Sequence, residues 1–385
     1  MLQNDNNQNN RIVFLTGTRA DYGKMKSLIR AVNNTSEYEA YIFATGMHML
    51  SKYGATYKEI VKDGFPNIYT FVNQNNSSPM DLTLSNTITG FSNYVAEIQP
   101  KAIVVHGDRL EALAGAIVGA FNNIHVLHIE GGEVSGTIDE SIRHAVTKFS
   151  HYHFVSNEEA KKRIKQLGEP EDNIIIFGSP DIDIMHSDKL PTFETVCKHY
   201  EIPFTNYNIF MYHPVTTELP LLSDHIKAVV DGLLESNDNY VVVYPNNDAG
   251  SQIVLNEFER LKNNPRFRIF PSIRFEAFLT LLKNTTMLIG NSSSGIREAC
   301  IYGKPAIDIG TRQDGRYNLT TSPHIIHIPE DKKLLLKAIE QAKQINLKKT
   351  SYYGQGNSDS IFVDALKQKD IFSTEIQKRF IDVDF

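Results

Sequence analysis

The 385-residue chain has no tryptophan and only two cysteines, Cys197 and Cys300. They lie far apart without metal-type spacing, which reads as two reduced thiols and a cytoplasmic protein. Basic charge is also short. With 39 Lys and Arg against 45 Asp and Glu, the net charge is −6, which argues against a nucleic-acid-binding surface while leaving room for a local anion pocket. No apolar run is long enough to span a bilayer, so no membrane association is expected. The opening MLQNDNNQNN is Asn-rich, lacks the apolar core of a signal peptide, and reads as a frayed tail. The chain also lacks a G-x-G-x-x-G dinucleotide fingerprint, any internal repeat and any low-complexity linker.

What is present is the composition of a globular enzyme, 41% hydrophobic and 22% charged, in a chain long enough for two domains of roughly 150–200 residues. Strand-like and helical patterns alternate from the start. RIVFLT at 11–16 leads through Gly17-Thr-Arg-Ala-Asp-Tyr-Gly23 into a helix carrying Met25, Leu28, Ile29 and Val32 at helical spacing. Arg19 and Asp21 fall at that helix N-terminus, where backbone N–H groups and the guanidinium can hold a phosphate. The next strand, 38–44, ends in Thr45-Gly-Met-His48, and His48 is a further candidate. A long helix is expected over 80–98.

The stretch from His106 to His144 concentrates the chemistry. Asp108, Arg109, Glu130, Glu133, Asp139, Arg143, His106, His128 and His144 surround two apolar runs, 102–105 and 124–127, that read as buried parallel strands. Polar clusters directly after such strands lie on the carboxyl edge of the sheet, where open α/β folds bind ligands. The stripe Leu110, Leu113, Ala114, Ile117, Val118 and Phe121 puts Asp108 and Arg109 at a helix N-terminal end. Asp139 falls near the start of the following helix. Three carboxylates from three consecutive elements thus point to one ligand site rather than to separate caps. Strands at 153–155 and 174–177 follow, and Gly178-Ser-Pro-Asp-Ile-Asp183 closes the unit. Its Asp-Ile-Asp reads as a Pro-initiated helix start rather than a metal-binding D-x-D.

A second α/β unit begins near Tyr207, with the boundary between Met185 and Tyr207. Strands at 208–212, 240–244, 287–289 and 305–309 end in His213-Pro-Val-Thr-Thr-Glu218, Pro245-Asn-Asn-Asp248, Gly290-Asn-Ser-Ser-Ser-Gly-Ile-Arg-Glu298 and Gly310-Thr-Arg-Gln313. The serine-rich turn is expected to open a helix whose N–H groups, with Ser292 and Ser293, take a diphosphate. Glu298, one turn in, suits a ribose diol.

Together, GTRADYGKMKSLI, ATGMHML, HGDRLEALAGA, HIEGGEVSGTIDESIRHAVTK, GSPDID, HPVTTE, YPNND and GNSSSGIREACIYGKPAIDIGTRQ resemble the hydrolysing UDP-N-acetylglucosamine 2-epimerases of bacterial sialic acid biosynthesis, from Arg11 to about Asp382. The resemblance implies a glycosyltransferase-B fold: two Rossmann-like doubly wound α/β domains facing across a cleft. An N-terminal domain over 11–185 would carry the catalytic carboxylates, a C-terminal domain over 205–365 would bind UDP, and 366–385 would return to the first. It implies Asp108, Glu130 and Asp139 as catalytic groups. It likewise implies nucleotide and diphosphate contacts from Arg19, Asp21, His213, Ser292, Ser293, Glu298 and Arg312. His48, Arg109 and Arg274 complete the expected substrate-binding set.

The implied reaction is elimination of UDP to a 2-acetamidoglucal, then addition of water to release N-acetylmannosamine. Proton transfers at C2 and at water need at least two acid/base groups, and three carboxylates are available. No metal, nicotinamide or flavin cofactor is called for; the expected partners are the UDP-sugar, UDP and further copies of the chain in a homodimer or homotetramer. Non-hydrolysing relatives carry a longer stretch with Trp and Pro between the Glu and the next acidic position. Here only eight residues, the last of them Ile138, separate Glu130 from Asp139, and the chain has no Trp, which favours hydrolysis. Kept beside this reading are a UDP-N,N'-diacetylbacillosamine 2-epimerase of legionaminic acid synthesis and a glycosyltransferase on the same fold. A non-catalytic sugar-nucleotide sensor is the alternative of another class, and it would leave the carboxylate trio without a use.

Overall fold

The computed structural model describes residues 10–135, 138–187, 190–317, 319–320, 322–350, 352–368 and 371–382, so the Asn-rich opening, apart from Asn10, lies outside the described residues. Two compact units emerge. The first draws on the described residues of Met1–Glu133, Ser141–Asp183 and Gly354–Phe385, the second on those of Val134–Glu140 and Ile184–Tyr353. The chain re-enters the first unit at Gly354, earlier than the expected 366, because the helix Ser358–Gln368 already packs there: Phe362 sets its ring at a tilt against Phe154 and Phe14. No helix among the described residues is long and apolar enough to cross a membrane.

The first unit is built on seven parallel strands: β1 (Arg11–Thr16), β2 (Glu39–Ala44), β3 (Ile68–Thr70), β4 (Ala102–His106), β5 (His125–Ile129), β6 (Tyr152–Val155) and β7 (Ile174–Ile176). Their spatial order is β3-β2-β1-β4-β5-β6-β7. Successive side chains leave a strand on opposite faces, and here both faces are buried. Phe14, Ile42 and Val104 enter one core, while their neighbours Val13, Phe43 and Val105 enter the other. The near-continuous apolar runs in the sequence are the consequence. β3 escaped the sequence pattern because it is three residues long and largely exposed.

The second unit repeats the plan with β8 (Asn208–Met211), β9 (Tyr240–Val243), β10 (Phe267–Phe270), β11 (Leu288–Gly290), β12 (Ala306–Ile309) and β13 (Ile325–Ile328), in the parallel order β10-β9-β8-β11-β12-β13. β10 and β13 were not legible either, since at the two edges of the sheet only one of the four residues of β10 and two of the four of β13 are buried. Gly290 ends β11 at φ +128, and a Cβ there would come within 1.9 Å of the Met211 carbonyl oxygen. Only glycine lets β11 pass β8 at this point. The segment expected to join the units, which shows no strand pattern, counts with the second and holds the helix Phe193–His199, capped by the Thr192 side chain.

Candidate active site

In each unit the strand order reverses once, between β1 and β4 in the first and between β8 and β11 in the second. At such a switch point the turns after the two central strands diverge and open a crevice at the carboxyl edge. The turns in question are Gly17–Arg19 and Gly107–Arg109 in the first unit, His213–Val215 and Asn291–Ser293 in the second. The polar clusters singled out in the sequence occupy these positions.

In the first unit Glu130 follows β5 with φ +60, a left-handed backbone uncommon for a residue with a side chain. Its N–H still donates to the Phe154 carbonyl at 2.8 Å, so the ladder with β6 holds the residue while the side chain is turned aside. Such a conformation costs about 1–3 kcal/mol and persists where the surroundings over-determine it. Those surroundings are donors. The Ser179 hydroxyl donates to Oε1, His106 Nε2 lies 3.1 Å from Oε2, and Lys24 Nζ lies 3.4 Å from Oε2. Lys24 also sits 3.3 Å from the buried carboxylate of Asp181. Lys24, Ser179 and Asp181 were not singled out as site residues. Lys24 had one legible signal, for it lies four residues before Leu28 and so on the apolar stripe of its helix.

Asp108 is paired with Arg143, whose Nη1 donates to the Glu133 carbonyl at 3.0 Å. Arg109 is the N-cap residue of the helix Leu110–Phe121. His128, fully buried within β5, donates from Nε2 to the Gly107 carbonyl at 2.9 Å and thereby shapes the turn that carries Asp108. Burial lowers its pKa to about 3, so the ring is neutral.

Two of the expected ligand contacts, Asp21 and His48, are also engaged by the protein itself. The Asp21 carboxylate accepts from the Thr16 hydroxyl at 2.5 Å and from the Gly17 and Thr18 N–H groups at 3.0 Å each, closing a capping box on the helix Arg19–Asn33. His48 is fully buried, with Nε2 3.0 Å from the Thr16 hydroxyl and Nδ1 2.7 Å from the Thr56 hydroxyl. Burial lowers its pKa to about 4. Both residues build the turn that presents Arg19. Arg19 itself is part-buried and paired with Glu59.

In the second unit Asn291, fully buried after β11, is the hub. Its Oδ1 accepts from the His213 N–H at 2.6 Å, its Nδ2 donates to the His213 carbonyl at 2.8 Å, and its own carbonyl accepts from Arg312 at 3.1 Å and Gln313 at 2.7 Å. Asn291 and Gln313 were not named from the sequence. His213 Nδ1 accepts the Asn246 N–H at 3.0 Å, which leaves Nε2 as the N–H donor of the neutral ring. The serine-rich turn is shorter than expected: a single 3₁₀ turn, Ser293–Gly295, capped by Ser292, precedes a four-residue helix that Glu298 begins. Glu298 is buried. Val134–Glu140 counts with this unit, and there Asp139 lies 3.6 Å from Arg312. Arg274 is the N-cap residue of the helix Phe275–Asn284, half-exposed, with Nε 3.2 Å from Glu276.

Pro180 does open a helix, Pro180–Met185, but Asp183 caps a different one, accepting from the Ser358 and Asp359 N–H groups at 3.0 Å each. Glu218, His225 and Glu330 of the second unit have ligand-type atoms within 4.8 Å of one another, with Tyr212 donating to Glu330 and Thr311 to Glu218.

Comparison with solved structures defines the class first. The chain matches a crystal structure of UDP-GlcNAc 2-epimerase from Neisseria meningitidis bound to UDP-GlcNAc with a TM-score of 0.79, 17% identity, and 93% of this chain and 100% of that one covered. It matches the Methanocaldococcus jannaschii UDP-GlcNAc 2-epimerase in complex with UDP-GlcNAc and UDP with a TM-score of 0.78, 23% identity, and 93% and 99% covered. At these identities the likeness shows the fold, that of glycosyltransferase-B-like proteins with paired Rossmann-like units. The sequence goes further. Residues 30–367 match the family model of UDP-N-acetylglucosamine 2-epimerases. A UDP-N-acetylglucosamine 2-epimerase of Neisseria meningitidis serogroup B is 44% identical over 377 residues, 97% of this chain and 99% of that one. A hydrolysing UDP-N,N'-diacetylbacillosamine 2-epimerase of Legionella pneumophila is 31% identical over 374 residues, 96% and 98% respectively. The chain belongs to the UDP-N-acetylglucosamine 2-epimerase family.

Proposed function

We propose that this chain is a hydrolysing UDP-N-acetylglucosamine 2-epimerase, converting UDP-N-acetylglucosamine and water to N-acetylmannosamine and UDP, and serving sialic acid synthesis. The observation that carries the chemistry is Glu130, held in a strained backbone conformation with three donors around its carboxylate. The hydrolysing outcome is supported by the short Glu130-to-Asp139 spacing, by the absence of Trp, and by relatives named as hydrolysing at 31% identity.

Inversion at C2 requires a proton to leave a carbon that is not acidic in the ground state. Breaking the C1–O bond, with its electron pair leaving on UDP, gives C1 oxocarbenium character and acidifies the C2 proton. A carboxylate takes that proton, and the C–H electrons form the double bond of 2-acetamidoglucal. Water then adds its oxygen at C1 while a proton is delivered to the opposite face of C2. Asp108, Glu130 and Asp139 supply these transfers, each contributing about 10²–10⁴-fold. In the second unit the leaving diphosphate is met by Arg312, the Nε2–H of His213 and the Ser292–Ser293 turn, and the ribose diol by Glu298.

An NMR time course with UDP-N-acetylglucosamine in deuterated water tests this. N-acetylmannosamine deuterated at C2 and an equal amount of UDP are expected; accumulation of UDP-N-acetylmannosamine would show a non-hydrolysing enzyme. A second reading, a UDP-N,N'-diacetylbacillosamine donor, is favoured by the relatives of that name in Legionella pneumophila and Campylobacter jejuni. The donors differ at C4 and C6, where one has hydroxyls and the other an acetamido and a methyl group. A site that hydrogen-bonds hydroxyls rejects an analogue lacking them. Rapid consumption of the diacetyl donor with none of UDP-N-acetylglucosamine would select the second reading.

A further inference from the structure

One of the three donors that hold Glu130, Ser179, and the carboxylate that holds a second, Asp181, come from a segment for which the reaction has no direct use, the turn Gly178-Ser-Pro-Asp-Ile-Asp183 after β7. Ser179, 1% exposed, donates to Glu130 Oε1. Two residues on, the fully buried Asp181 holds Lys24 Nζ at 3.3 Å, and Lys24 in turn faces Glu130 Oε2 at 3.4 Å. One short turn therefore addresses both carboxylate oxygens, one directly and one through Lys24.

The turn is itself clamped by the returning C-terminal segment. Gly354, at φ +132, lies so close that a Cβ on it would meet Gly178 Cα at 3.1 Å and Ser179 N at 3.2 Å. At the other end of the turn, Asp183 accepts from the Ser358 N–H at 3.0 Å, the Ser358 hydroxyl at 2.5 Å and the Asp359 N–H at 3.0 Å. Both ends of the Ser179 turn are thus fixed by residues about 175 positions further along the chain.

We propose that Ser179 is a positioning residue for Glu130, and that the Gly354–Ser358 return holds Ser179 in place, making the C-terminal segment part of the catalytic apparatus without contact to substrate. The inference rests on the acid/base role of Glu130. A hydroxyl donating to a carboxylate favours its ionised form and fixes its orientation. Removing it moves the titration that Glu130 contributes to higher pH.

The test measures kcat and KM for UDP-N-acetylglucosamine from about pH 5 to pH 9 with full-length Ser179→Ala, Gly354→Ala and Glu130→Gln. Thermal melting and UDP affinity establish folding. Ser179→Ala is expected to lower kcat about tenfold with KM within about twofold, and to shift one limb of the kcat profile upward by about half a pH unit or more. Gly354→Ala is expected to shift the same limb in the same direction. A fall in melting temperature and active fraction with both limbs unmoved would overturn the inference, since a merely loosened fold behaves so. A wild-type profile for Ser179→Ala beside an inactive Glu130→Gln would also overturn it, while leaving the role of Glu130 standing. A fully active Glu130→Gln would instead remove the reading underneath. Should Ser179→Ala fail to fold, Ser179→Cys keeps nearly the same size with a weaker donor, and the same upward shift is required of it.

Discussion

The Lys24 ammonium lies 3.4 Å from the Glu130 carboxylate and bridges it to Asp181, joining the first helix of the chain to the turn after β5 inside one buried network. Two buried carboxylates share this cation. Removing the cation leaves more than half a bond behind, because both anions lose compensation in a poorly solvated place.

Lys24→Met is therefore expected to destabilise the protein by about 3 kcal/mol. Adding Asp181→Asn should recover a substantial part of that loss. Urea unfolding of the two variants measures both; a single variant within about 0.5 kcal/mol of the parent would show that the network carries little.

Glu130→Gln keeps the shape of the side chain and removes its capacity to take a proton. Turnover is expected to fall by about 10²-fold or more with UDP affinity within a few-fold. Asp108→Asn and Asp139→Asn should behave alike, and near-normal rates for any of the three would take that residue out of the mechanism.

His213→Asn tests the nucleotide side. Asparagine is the variant to read in place of glutamine, whose amide would restore a donor near Nε2. Its Oδ1 can still accept the Asn246 N–H, and the loss of the Nε2–H donor should cost about 1.5–3 kcal/mol in binding of UDP, read by titration calorimetry, with little change in melting temperature without ligand. Unchanged UDP affinity would place the diphosphate elsewhere.

Gly290→Ala should be costly for a reason unrelated to chemistry. A methyl group at φ +128 and 1.9 Å from the Met211 oxygen would force β11 and β8 apart. A loss of about 3 kcal/mol or more is expected, measured by denaturant unfolding. A stable variant would contradict the close approach of these strands.

Stability should also fall early on acidification. Burial lowers the pKa of His48 to about 4, of His128 to about 3 and of His151 to about 4, all from 6.5. Each ring is neutral when folded and binds a proton when unfolded, so each contributes stability that is lost as pH drops from 6.5 towards its folded value. The slope is at most about 1.4 kcal/mol per histidine per pH unit. Glu169 acts lower down: burial opposes its ionisation, but His153, Lys378 and Lys148 outweigh this and hold it at about 2, so its contribution is lost only below about 4.5. Urea midpoints should decline from pH 6.5; a midpoint flat down to pH 5 would refute the burial of these rings.

Much of the frame was legible beforehand. The helix Met80–Ile98 fell where its spacing put it, and β4 and β5 lay within a residue or two of the apolar runs that announced them. Less visible were β3, β10 and β13, whose short, half-exposed sequences carry no continuous apolar signal. Asp21 and His48 looked like ligand contacts because polar residues after a strand face the sheet edge. What the sequence did not show is their role in the protein itself: N–H and hydroxyl groups of residues 16–18 hold the Asp21 carboxylate, and the Thr16 and Thr56 hydroxyls hold the His48 ring.

The sequence by itself determined the alternation of strands and helices, the carboxylates and arginines placed after strands, and the family. Periodicity and local turn chemistry act over a few residues, so the chain spells them out directly. Only the tertiary structure decided which turns stand at the two reversals of strand order, that Glu130 adopts a left-handed backbone, and that its carboxylate is held by Lys24, His106 and Ser179. Those partners lie 106, 24 and 49 positions away. Burial in a shared core brings them together, and no local pattern records which buried polar groups will meet.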